Sequence, residues 1–153
     1  MAGTTDSHAD NDPAVSVCFA VSIDDNSLGT FNSCEGLGCE VVLEQREEGG
    51  NNTFVWQLPT RLKYSTIKLT RPLGKDTTKV ASWFASMASG VQPRTGTIAA
   101  MSSEGRIVAQ WDLMGVVPVR WSGPSLNLDS PKVATETVEL AHHGFAPAQR
   151  GAR

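Results

Sequence analysis

Charge is scarce in this sequence. Only 19% of its 153 residues are Asp, Glu, Lys or Arg, against roughly 25% in ordinary soluble domains. Ser, Thr, Ala, Gly and Asn take their place, a composition that suits a surface partly buried in an assembly. The formal net charge is −3 and the basic residues do not cluster, which argues against a nucleic-acid or anionic-membrane partner. Long apolar runs are missing too: none approaches the roughly 18 residues of a membrane-spanning helix, so no stable membrane anchoring is expected. Met1 to Asn11 is polar and acidic, without the basic start and apolar stretch of a secretory signal. Cytoplasmic synthesis is the expectation, with any exit from the cell by another route.

The side chains of enzymes are equally thin. Three cysteines, Cys18, Cys34 and Cys39, give an odd count and no disulfide framework. Glu-Gly-Leu-Gly separates Cys34 from Cys39, wider than the C-x-x-C of metal and redox sites. Cys18 falls mid-strand and reads as a buried free thiol. Of three histidines, His8 is near the start, while His142 and His143 adjoin on a strand. Neighbours on a strand point to opposite faces and cannot chelate one metal, so one of the two is expected to be buried or interfacial. G-x-S-x-G, H-E-x-x-H, P-loop and dinucleotide patterns are absent. The glycines at 36, 38, 49 and 50 lead into no helix that could hold phosphate. Asp24, Asp25 and Asn26 offer three oxygens without the rest of a cation loop. No catalytic residue, metal or cofactor is assigned.

What is present is alternation. Val15, Val17, Phe19, Val21 and Ile23 share one face of a strand, with Ser16, Cys18, Ala20 and Ser22 on the other. Asp24-Asp25-Asn26 turns the chain, and a second strand is expected from Leu28 to Asn32. Val41 begins a hairpin that runs out through Glu44, Gln45, Arg46, Glu47 and Glu48, turns at Gly49-Gly50-Asn51-Asn52 and returns over Thr53 to Leu58. Its tip is polar on both faces, so it should project from the domain. Tyr64 to Arg71 reads as one more strand. The period then becomes helical: Val80, Trp83, Phe84, Met87 and Val91 form one stripe, capped by Asp76 or Thr77 and stopped at Gly90. The opposite face carries Ser82, Ala85, Ser86 and Ser89, small residues suited to close packing on another surface or simply exposed. Strands follow at Thr95–Ser103, Arg106–Gly115 and Lys132–Ala141. In the second of these Ile107, Ala109, Trp111 and Leu113 point inward and Arg106, Val108, Gln110 and Asp112 outward. The expectation is seven or eight strands and one helix in a single domain over 14–146, with tails at 1–13 and 147–153. Open antiparallel edges of this kind tend to pair.

Several stretches resemble the inner tube proteins of phage tails and contractile injection systems. They are Phe19 to Asp24 with Leu28-Gly29-Thr30-Phe31 and Cys34-Glu35-Gly36-Leu37, then the hairpin from Glu44 to Asn52. Leu69-Thr70-Arg71-Pro72-Leu73 before Trp83-Phe84, Trp121 to Asn127, and Val138 to Gly144 complete the likeness. The order and spacing carry it, over roughly residues 15–145. The resemblance implies a mainly β fold, an antiparallel sandwich or barrel with one flanking helix. Six copies would form a ring around a continuous β-barrel lumen, and rings would stack into a tube inside a contractile sheath. The implied partners are copies of the chain itself, the sheath, baseplate and cap proteins, and protein cargo in the lumen. Its setting would be a phage-tail-like particle, from a phage or a bacterial injection system. On this reading Glu44, Arg46, Glu47, Glu48, Gly49, Gly50, Asn51 and Asn52 reach the next ring. Arg61, Lys63, Lys68 and Arg71 are candidate basic partners for that acidic arm. The Ser82, Ala85, Ser86 and Ser89 face would pack on a neighbour or the sheath. Arg106, Gln110 and Asp112 are lumen candidates that could equally meet solvent or sheath. A tube-initiating or capping protein of the same machine is the nearest alternative. A small-ligand β-barrel lined by Trp56, Trp111 and Trp121 comes next, and a hydrolase last.

Overall fold

Two consecutive aspartates start the fold. Asp24 and Asp25 take φ of 46° and 65°, the left-handed pair that a two-residue hairpin turn requires. They fold β1 (Cys18–Ile23) back on β2 (Asn26–Phe31). The Asp24 carboxylate then ties the turn to the strand behind it. It accepts from Arg94 Nη1 at 2.9 Å, from the Thr95 hydroxyl at 2.9 Å and from the Thr95 amide at 3.1 Å. These bonds, that of Arg94 first, hold its pKa below the ordinary carboxylate value. A computed structural model describes residues 18–47, 49–50, 54–124, 129 and 133–147.

Asn32 alone separates β2 from β3 (Ser33–Glu35). The hairpin follows as β4 (Cys39–Arg46) and β5 (Trp56–Tyr64), and then β6 (Ile67–Pro72), helix α1 (Thr77–Ser86) and a 3-10 turn (Met87–Ser89). The chain closes with β7 (Arg94–Met101), β8 (Ile107–Ser122), β9 (Thr135–Ala141) and β10 (Gly144–Phe145). The described residues therefore hold ten strands, more than the seven or eight expected. The run Tyr64–Arg71 is two strands and not one, because its halves belong to different sheets and the chain turns between them at Ser65-Thr66. Val91 is not on the helical stripe: the helix tightens after Ser86, ends at Gly90, and leaves Val91 62% exposed.

One antiparallel sheet runs β2-β1-β7-β8-β9-β6-β3, with β10 added on β8. It folds into two layers because the 16-residue β8 serves both. Its first half pairs with β7 up to Val116, and its second half pairs with β9 from Val117. The hand-over lies beside Gly115, whose φ is 62° and whose missing side chain leaves room for the His143 ring. A Cβ there would sit 2.6 Å from His143 Nδ1. Phe31, Ile67, Leu69, Ile98, Leu113, Val138 and Leu140 fill the space between the layers, and Val80 brings α1 onto them. This is the antiparallel sandwich with one helix that the sequence led us to expect. The sheet ends at β2 and β3 without a ladder between them, so among the described residues no closed barrel forms.

Gly36 makes the bend after β3 possible. Its φ is 89°, and a Cβ would lie 2.1 Å from the Thr66 carbonyl oxygen at the β5–β6 corner. Gly36→Ala is therefore expected to cost about 1–3 kcal/mol from backbone strain alone, before the clash is relieved. A lowered denaturant midpoint at unchanged slope would register the loss, and an unchanged midpoint would refute it.

Candidate assembly surface

Among the described residues β4 and β5 pair only with each other, so the hairpin is an arm outside the main sheet. Its register sorts the side chains onto two faces. Val41 lies opposite Leu62 and Leu43 opposite Pro59, giving an apolar face. On the reverse Glu40 faces Lys63, Val42 faces Arg61, Glu44 faces Leu58 and Arg46 faces Trp56. A bulge at Thr60, whose hydroxyl donates to the Val42 carbonyl at 2.8 Å, keeps both patterns in step. Neither face is covered: Val41, Leu43 and Leu62 are 47%, 48% and 52% exposed. Near the tip Phe54 and Trp56 stack edge to face with centroids 5.1 Å apart, both exposed. A two-stranded hairpin is marginal in water on its own, and contiguous exposed apolar side chains mark a binding surface.

The expectation of a projecting arm agrees with this geometry, but its chemistry is richer than an acidic tip. Glu44, Arg46, Glu47, Gly49 and Gly50 lie at its outer end, with Arg46 Nε bonded to Glu44 at 3.4 Å. Glu48, Asn51 and Asn52 fall outside the described residues. Arg61 and Lys63 are on the return strand of the same arm, so they travel with the acidic residues. Lys68 is exposed on the body, in β6 between Glu35 and Glu139. The sequence reading missed the apolar face because Val41 and Leu43 are joined to Leu62 only by the pairing. The signal was the alternation of Val41, Leu43 and Gln45 against Glu40, Val42 and Glu44.

Arg71 is not available to a neighbouring ring. It is 4% exposed and ion-paired through Nε to Glu136, which is 0% exposed and is its in-register partner on β9. Nη1 donates to the Leu28 carbonyl and Nη2 to the Asp76 carbonyl at 2.9 Å, and the guanidinium carbon lies 4.2 Å from the centre of the Phe31 ring. Trp121 Nε1 donates to the second Glu136 oxygen at 3.0 Å. Arg71 thus joins β2, β6, β9 and the start of α1 inside the fold, where a buried charge must be paired.

Ser82, Ala85, Ser86 and Ser89 are all exposed. The hydroxyls of Ser82, Ser86 and Ser89 donate back to the carbonyls of Thr78, Trp83 and Ser86. Bonded inward in this way, they leave a smooth face with few free polar groups. Ser82 and Ser86 also line a groove of about 640 Å³ between α1 and the β1–β2 turn. Gln110 and Asp112 stand on the exposed side of β8, with Gln110 and Thr97 both donating to Asp112. Arg106 is not on the strand: it lies in the turn before β8, paired with Glu104 at 2.6 Å. Ile107, expected inward, is 59% exposed: it opens the strand opposite Met101, where the ladder shifts register. Cys18 is half-buried and Cys39 exposed, while burial and then the Glu35 charge push the Cys34 thiol up to about 11.

The family model for the T4-like virus tail tube protein gp19 matches residues 15–146. The chain belongs to this family of tail tube proteins. Several solved structures share the fold of this tail tube protein. One is a chain of the extended sheath–tube complex of the PVC extracellular contractile injection system, 21% identical, with a TM-score of 0.78, covering 95% of this chain and 97% of that one. A chain of the six-fold-symmetrised baseplate of the anti-feeding prophage is 22% identical over 88% and 95%, with a TM-score of 0.71. A chain of the anti-feeding prophage's tube-terminating cap is 20% identical over 95% and 97%, with a TM-score of 0.75. No curated protein sequence matches this tail tube protein. Among the described residues no helix is long and apolar enough to cross a membrane.

Proposed function

We propose that this tail tube protein is the repeating structural subunit of the inner tube of a contractile, phage-tail-like injection system. Six copies form a ring, rings stack into a tube, and the tube lies inside a sheath that drives it through a target membrane. The observation that carries this reading is the uncovered apolar face of the β4–β5 arm, which one subunit cannot bury and a second copy can. The chains of similar fold come from assemblies named for sheath and tube, baseplate and cap, which supports those components as its partners. The role is structural and not catalytic, the subunit is made in the cytoplasm, and the lumen carries protein cargo.

Size-exclusion chromatography with negative-stain electron microscopy of the purified chain tests this directly. Rings or stacked tubes are expected, and a strict monomer at high concentration would overturn it. Within that reading, acidic residues of the arm meet basic positions such as Lys68 on the next ring, setting register more than affinity. Glu47→Lys combined with Glu48→Lys is expected to shorten or abolish tubes while far-UV circular dichroism stays unchanged. Raising salt from 0.15 to 1 M, which cuts the screening length from about 8 to about 3 Å, should weaken the wild type in the same sense. Tubes of normal length from the charge-reversed variant would remove the acidic tip from the interface.

A further inference from the structure

The arm is fastened to the body by a small aromatic joint. Tyr64, the last residue of β5, has its ring centre 5.2 Å from that of His142 and 5.8 Å from that of Phe145. His142 and Phe145 are themselves 5.3 Å apart. Cys39, where β4 begins, lies opposite Tyr64 in the ladder, so both strands of the arm start at this joint. Phe145 belongs to β10, which is bonded to β8 through Gly144 opposite Met114 and Phe145 opposite Leu113.

His142 is an odd residue to place there. It is 6% exposed. The Gly144 amide donates to its Nδ1 at 3.2 Å, so the neutral ring carries its proton on Nε2. That Nε2 is buried and has no partner among the described residues. Among the described titratable groups, the Tyr64 phenol from β5 lies against the ring, and His143 follows it in the chain with its own ring at Gly115. β10 presents Phe145, and β8 presents the Met114 carbonyl, which is taken by the His143 amide at 2.8 Å. Burial, and secondarily the nearby His143, push the imidazole pKa below its ordinary value.

We propose that His142 makes the root of the arm acid-sensitive: neutral, it seats Tyr64 against Phe145, and protonated, it leaves the joint and frees the arm. An imidazole out of the joint takes its proton near pH 6.5, the ordinary histidine value, while the packed ring resists. Above that pH both forms are neutral and the joint is at full strength. Below it the freed form binds a proton that the packed form lacks. The ratio of packed to freed arm then falls by up to about tenfold per pH unit, until the packed ring itself titrates. The device lies within one subunit and does not depend on what the arm docks against, so the failure of either idea leaves the other standing.

The test follows the histidine imidazoles of the full chain by NMR from pH 7.5 to 4.5. Amide exchange over Cys39–Arg46 and Trp56–Tyr64, corrected for the intrinsic pH dependence of exchange, is read over the same range. The expected result is a His142 with its proton on Nε2, titrating below the ordinary histidine value, and arm protection that drops at least tenfold in the same window. His142→Phe keeps the ring but cannot ionise, and should flatten the drop, whereas His143→Gln should leave it in place. A His142 titrating at or above the ordinary value, protection constant with pH, or a full acid response in His142→Phe would each overturn the proposal. Should His142→Phe fail to fold, coincidence of the wild-type titration with the loss of protection decides.

Discussion

Val41→Asp combined with Leu62→Asp will abolish tube formation and leave the subunit folded. Both side chains are about half exposed on the arm and lie opposite one another, so the body loses almost nothing when they change. In an assembly that covers this face, each contact forfeits part of the ~1.5–3 kcal/mol that burying Val or Leu contributes. It must also desolvate two carboxylates at a cost of several kcal/mol. A loss of ~3 kcal/mol per contact already weakens association by more than about a hundredfold. Sedimentation and negative-stain microscopy should show monomers with wild-type circular dichroism. Tubes of ordinary length from this variant would mean that the apolar face is not an interface, and the main support for the assembly reading would go with it.

The second large effect is internal. Arg71→Ala leaves the Glu136 carboxylate fully buried with, among the described residues, only Trp121 Nε1 as partner, and strips the Leu28 and Asp76 carbonyls of their donor. Breaking a buried pair from one side costs about 3–5 kcal/mol, a fall of roughly 10 °C in Tm for a domain of this size. Glu136→Ala should cost about as much, because it strands the guanidinium instead. Arg71→Met with Glu136→Met removes both charges, so the double variant should be less destabilised than the sum of the two alanine variants. Denaturant unfolding of the variants reads all three quantities. A single variant costing under about 1 kcal/mol would show that water reaches the pair and that the site is not buried in solution.

Much of this was written locally. The alternation from Phe19 to Ile23 needs no partner to be read, and neither does the helical stripe through Val80, Trp83 and Phe84. The arm's outer end announced itself because Glu44 to Glu47 has no side that could lie on a core. What stayed hidden depends on pairing. Tyr64 to Arg71 alternates without a break, yet Tyr64 ends the arm and Ile67 opens a strand of the main sheet. Alternation is blind to which sheet a residue joins. Arg71 looked like another surface cation beside Lys68, since a charged residue is exposed unless paired and its partner Glu136 is 65 residues away. The apolar face of the arm was equally distant from view, because Leu62 meets Val41 only across a ladder.

The single strand β8 has a mechanical consequence. Most two-layer β domains hold their layers together by side-chain contact, which yields when one layer slides over the other. Here one continuous backbone is stitched into both layers, so sliding would have to rupture its ladders or stretch covalent bonds. An axial load on the subunit therefore finds a stiff block, while the arm, whose described strands ladder with each other and not with the main sheet, is its compliant part. In a column of such blocks, bending and stretching would be taken up at the joints and not within the bricks.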